Sequence, residues 1–139
     1  MSWVTLALLS AGFAALVAIF GKMGLQGIDT TLATTLRAVI MAVFLVGVSL
    51  ALGKFEAVPD FGKKAGLMIV LSGLAGALSW LFYFSALKAG PASAVAAIDR
   101  LSVVFVFILA LIFLGETFTW KSALGALFVA LGAILMTIK

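Results

Sequence analysis

Asp99 and Arg100 stand side by side inside a long apolar run, residues 91–115. Ionised side chains at that depth in a hydrocarbon-length segment cost on the order of 2.5–3.5 kcal/mol each. Apolar residues would insert more easily, so an acid beside a base here is a functional-site hypothesis. With a helix starting near Pro91, Asp99 lies about 12 Å along it, at ~1.5 Å per residue, close to mid-bilayer. Ala92, Val95, Ala96, Ser102 and Val106 share its face by the three-and-four spacing. Small residues and a serine there leave space for water or a ligand, and a carboxylate so placed is a candidate proton or cation site. Arg100 leaves the helix about 100° away. The plainer reading is that the two charges pair with neighbouring helices and fix their register; both roles can coexist.

Other groups could share that chemistry. Arg37 lies about 10 Å beyond Thr30, at ~1.5 Å per residue, deep for a snorkelling arginine. A pair with Asp99, at similar depth from the same membrane face, is its expected role. Thr30, Ala33, Thr34 and Met41 line its side of the helix. Lys22 ends the first apolar segment on that face and is expected to snorkel. Ser72, Gly76, Ser79, Tyr83 and Ala86 are spaced four, three, four and three apart, which is one helical face. They form either a packing stripe of small residues or a cavity wall. In the second case Tyr83 and its neighbour Trp80 would meet substrate by hydrogen bond, stacking or cation–π attraction. Glu116 is read as an interfacial turn residue.

What holds these groups has to be membrane-spanning. Of 139 residues, 65% are hydrophobic and 10% charged, with mean hydropathy +1.36. That leaves too little polar surface for a water-soluble domain. The net charge of +4 comes from bases scattered singly at segment ends. They suit lipid headgroups and form no nucleic-acid patch. With no cysteine, no histidine and five carboxylates, thiolate chemistry is excluded and a metal site is not expected. Neither a nucleophile–base pair nor a phosphate-cradling glycine loop is present. The sequence therefore predicts neither an enzyme nor a cofactor.

Five segments are long enough to cross a ~30 Å hydrocarbon core: residues 3–21, 31–53, 65–88, 92–114 and 118–138. They lack the alternation of barrel strands, so the expected fold is an all-α integral membrane protein. The first segment has no basic residue before it and is read as a retained transmembrane helix. Connections carry turn chemistry: Gly27, Asp29 and Thr30; Pro59 and Asp60; Gly90 with Pro91; Gly115 with Glu116 and Thr117. Gly125 and Gly132 lie seven apart on one face of the last segment, flanked by Ala126, Ala130 and Ala133, which suits helix packing or dimerisation.

Five crossings place Lys54, Lys63, Lys64 and Lys121 on one side, and Lys22, Lys88 and Lys139 on the other, joined by the deeper Arg37 and Arg100. Cytoplasmic loops normally hold a clear excess of bases; here there is almost none. Either both orientations insert and pair as an antiparallel dimer, or residues 54–64 fix the N-terminus inside.

The run from Gly90 to Met136 resembles the second half of an EamA domain, from the drug/metabolite transporter superfamily. Gly90-Pro91-Ala92, the turn Leu114-Gly115-Glu116, and Gly125 with Gly132 carry the likeness. Phe20-Gly21-Lys22 and the stretch from Ser79 to Gly90 extend it over the whole chain. The resemblance is to the short single-domain bacterial and archaeal branch. It implies half of a ten-helix inverted-repeat fold, rebuilt by a homodimer in the cytoplasmic membrane and working by alternating access. Ten-helix members often carry proline near the Ser102 position; its absence predicts an unkinked fourth helix. Small multidrug resistance proteins, more distant relatives, use a central glutamate in helix one. No acid occurs in helix one here, which leaves Asp99 to substitute.

The function expected on this basis is secondary active, proton-coupled transport of a small solute. Arg37 and Arg100 would hold an anionic group or tune Asp99, with Tyr83, Trp80, Ser79 and Ser102 shaping the pocket. A non-transporting membrane subunit that stabilises a partner complex, and a flippase-type subunit for lipid-linked substrates, are the alternatives.

Overall fold

Asp29 opens the second helix as its N-cap: the extended backbone there turns into the helix while its carboxylate accepts a hydrogen bond from the Leu32 amide at 3.0 Å. Local chemistry of this kind sets most element boundaries in the computed structural model, which describes residues 2–56 and 62–138. Pro59, Asp60 and Lys139 lie outside the described residues. The helices are α1 (Trp3–Gly24), α2 (Thr30–Ala51), α3 (Lys63–Ala89), α4 (Ala92–Asp99), α5 (Ser102–Leu109) and α6 (Trp120–Leu135), with a π-helical turn at Ala110–Leu114 between α5 and α6. No strand occurs among the described residues. The chain is an all-helical membrane protein with four long apolar candidate spans and a shorter apolar helix. α1, α2, α3 and the composite of α4, α5 and the π-turn are each long and apolar enough to cross.

Two spans differ from the sequence reading. The fourth, expected to be continuous, is broken at Arg100 and Leu101. The amides of Arg100, Leu101, Val103 and Val104 reach back three residues, to the carbonyls of Ala97, Ile98, Arg100 and Leu101, at 2.9–3.1 Å. Bonds of that reach tighten the backbone into a 3₁₀ turn, and they need no proline. The last helix begins at Trp120 rather than residue 118, because Thr119 is its N-cap and accepts from the Ser122 amide at 3.1 Å. Phe118 stays outside, its ring between those of Phe107 (centroids 6.1 Å) and Trp120 (5.7 Å). At 16 residues, α6 is roughly 24 Å long, short of a full hydrocarbon core.

The chain divides into two compact units, residues 21–88 and residues 1–20 with 89–139. In the second, α6 packs against α4 and α5. The apolar residues buried among those described are Ala18, Leu25, Phe84, Leu87, Ala97, Ala110, Ala126 and Ala133. Alanine predominates because lipid supplies no hydrophobic drive between helices; small residues let backbones approach and gain dispersion contacts instead. Large side chains face outward, as Phe113 (78% exposed) does.

Candidate functional site

Asp99 is the last residue of α4 and Ser102 the first of α5, so the break falls between a carboxylate and a hydroxyl. An Arg100 guanidinium nitrogen lies 3.6 Å from an Asp99 carboxylate oxygen. Adjacent helical residues point apart, but the long arginine reaches back to its neighbour. Both side chains are partly open, 37% exposed for Asp99 and 52% for Arg100, and Ser102 is exposed. The carboxylate is thus accessible, paired with a base and set at a helix discontinuity.

The unit of residues 21–88 carries a second constellation. Cζ of Arg37, on α2, lies over the Trp80 ring of α3, 3.6 Å from its centroid, and 5.4 Å from that of Phe84. Trp80 is braced edge-on by Tyr83, with centroids 5.4 Å apart and planes at 82°. Phe84 tilts against both rings. Cation–π attraction is worth about 0.5–2 kcal/mol. That falls short of the 2.5–3.5 kcal/mol on the order of which a mid-span arginine costs, so the ring alone does not settle this charge. Its partner here is an indole. The expected partner, Asp99, belongs to the other unit.

The same unit ties the turn after α1 to the end of α3. The Lys22 ammonium donates to the Leu87 carbonyl and, at 3.4 Å, to that of Lys88. Lys88 in turn donates to the Ile28 carbonyl at 2.7 Å. The last carbonyls of a helix lack intrahelical donors and carry the negative end of its dipole, so a lysine is a fitting cap. A cleft of about 300 Å³ lies beside it, lined by Lys22, Met23, Leu25, Gln26, Gly27 and Lys88. Lys22→Met leaves two carbonyls without their donor and is expected to cost about 1–2 kcal/mol. Lys88→Met, at an exposed position, should cost less. Thermal unfolding followed by helical circular dichroism in detergent checks that order.

The remaining residues are placed as follows. Ser79 is exposed on α3, and the inward face of that helix runs through Gly76, Trp80, Tyr83, Phe84 and Leu87 instead of the serines. On α6, Ala126 and Ala133 are buried and Ala130 is half-buried. A Cβ added at Gly125 or Gly132 would meet nothing within 4 Å among the described residues outside its own helix backbone. In-chain packing on α6 thus falls to the alanines, and the glycine face is open.

Sequence reasoning missed Lys88, Phe84 and the Arg37–Trp80 contact. The last was within reach. Trp80 lies eight residues before Lys88, and Arg37 seven after Thr30. At ~1.5 Å per residue both are about 10–12 Å from the same end.

Comparison with known proteins agrees with this architecture. Residues 1–138 match the EamA-like transporter family. A Sinorhizobium sp protein, named as an uncharacterized transporter in the cobO 3' region, is 42% identical over 137 residues, covering 99% of this chain and 97% of its own length. No solved structure matches the chain.

Proposed function

This chain belongs to the EamA-like transporter family, and on that premise we propose that it is a proton-coupled secondary transporter of a small solute in a bacterial or archaeal cytoplasmic membrane, acting as an antiparallel homodimer. The family and the relative's name support a membrane transporter in general. The finer reading rests on one observation above all: the fourth span is interrupted where it carries Asp99, Arg100 and Ser102. Irregular backbone at membrane depth is tolerated only where protein or water meets it. Discontinuous spans with ionisable groups near the midplane are the recurring construction of secondary-transporter sites.

In this scheme Asp99 takes the coupling proton. Deprotonated, it pairs with Arg100. Arg37 and Arg100 hold an anionic part of the solute, while Trp80, Tyr83, Ser79 and Ser102 line its path. Dimerisation supplies the second five-helix repeat, and the open Gly125–Gly132 face of α6 suits it. The near-even spread of bases over both sides supports insertion in both orientations.

The test is reconstitution of purified protein in proteoliposomes on a solid-supported membrane. Transport predicts saturable, solute-evoked currents that grow with an inward proton gradient. Absence of current from a panel of carboxylate and phosphate solutes, together with co-purification of an obligate partner, would favour the membrane-subunit reading and overturn this one.

A further inference from the structure

Arg37 has its charge stabilised without being neutralised, and this decides what can bind beside it. A carboxylate partner would cancel the charge and occupy the donors. Trp80 does neither. Cζ of the guanidinium sits 3.6 Å from the indole centroid, too close for an N–H to point edge-on into the ring, so the guanidinium meets the indole by its flat side. The five N–H donors of a guanidinium lie in its plane and point outward from its edge. Within its own unit, Arg37 has no hydrogen-bond acceptor among the described residues. The described carboxylates of that unit are Asp29, committed to the Leu32 amide, and Glu56, which follows the far end of α2. Thr34, one turn before Arg37, is buried and turns its hydroxyl back to the Thr30 carbonyl at 2.7 Å.

We propose that Arg37 and Trp80 form an oxyanion site, which takes a carboxylate or phosphate group by the guanidinium edge while the indole holds the guanidinium face. Planar bidentate pairing is the geometry in which arginine outperforms lysine. The platform is packed without any ligand: Tyr83 stands edge-on to Trp80 at 5.4 Å, and Phe84 closes the cluster from the next turn. A preformed donor array loses less freedom on binding. The net positive charge at this point excludes cations and favours anions. Two sources fit the chemistry, a soluble solute and a lipid headgroup phosphate. The inference deepens the transport reading and rests on it for the fate of the ligand, not for its capture.

Trp3→Phe and Trp120→Phe together leave Trp80 as the single indole, so its fluorescence reports on this site. In a neutral detergent, benzoate and inorganic phosphate should each give a saturable change in emission, and tetraethylammonium none. Arg37→Lys keeps the charge but loses the fork, and should weaken benzoate at least about tenfold; Arg37→Gln should abolish the response. Should Arg37→Gln not fold, the lysine variant decides alone. Phosphatidylglycerol that competes with benzoate, where uncharged diacylglycerol does not, identifies a headgroup as an occupant; benzoate binding indifferent to both lipids identifies a soluble solute. Either result sustains the site. No response to either anion, a response to the cation, or unchanged affinity in Arg37→Lys overturns it. The binding assay needs no transport. Anions that bind a protein carrying no current leave the site standing and remove the transporter; proton-driven current without anion binding does the reverse.

Discussion

Asp99→Asn abolishes proton-driven, solute-evoked current while the protein still folds and elutes as wild type. The substitution is nearly isosteric and removes one ionisable oxygen. What it removes structurally is small: the Asp99–Arg100 pair is 3.6 Å long and both side chains are a third to a half exposed. Exposed pairs of that kind contribute about 0–1 kcal/mol, a shift of a few degrees in Tm for a chain this size. Functionally, the fourth span has no other carboxylate, since Glu116 follows the span's end at Gly115. α1 contains none at all. A proton-coupled cycle passing through this span therefore has one candidate carrier. Current should fall to the level of empty liposomes, and Arg100→Gln should retain part of it. The measurement is peak current against the proton gradient, alongside thermal unfolding of the same preparations. Asp99→Asn that carries wild-type current with wild-type gradient dependence would make the carboxylate a structural group, and the break in the span would need another explanation.

That break shows where sequence reading stops. The spans were legible because length and hydropathy alone decide what can cross a bilayer. The start of α2 was legible too, because Asp29 before a run of threonines is a cap with a mechanism. Nothing in Ile98-Asp99-Arg100-Leu101-Ser102 breaks a helix; no proline or glycine is present. The 3₁₀ turn arises in a span that packs against α6 on both sides of it, and packing of distant segments leaves no mark on local composition. On α3 the stripe is divided, with Gly76 and Tyr83 inward and Ser72, Ser79 and Ala86 exposed, for a related reason. Hydropathy separates inside from outside only where outside is water. In lipid the serine face and the aromatic face of α3 are both permissible, and it took Gly21 to select one: its bare backbone lets Phe84 and Leu87 settle against α1. Arg37 was singled out by depth. Depth could not say whether its partner would be an acid or a ring.

The glycines give the second large effect, because the described ones divide sharply. A Cβ at Gly21 would sit 3.3 Å from Cζ of Phe84 and 3.5 Å from Cδ1 of Leu87. Gly21→Ala forces that ring to give by a few tenths of an ångström and should cost little. Gly21→Leu has nowhere to go. Overpacking of this kind costs about 1–3 kcal/mol or more, and here it also pulls Lys22 from the carbonyls of Leu87 and Lys88, so the clasp at the end of α3 opens with it. We expect Gly21→Leu to lower Tm steeply or to prevent recovery of folded protein from the membrane. A Cβ at Gly125 or Gly132 meets no atom of another part of the described chain within 4 Å, so a leucine there, Gly125→Leu or Gly132→Leu, starts from open space. Removing a mid-helix glycine should even add helix propensity, up to about 1 kcal/mol per site. These two variants should therefore match or exceed wild-type stability as single chains. If the open face of α6 joins two copies, they must also lose the dimer, because close approach through glycine tolerates no branched side chain. Light scattering coupled to gel filtration in detergent reads the mass directly. A stable monomer from Gly125→Leu places the interface on α6. An undiminished dimer moves it to another face, and a misfolded product would mean that the glycine face already packs within one copy.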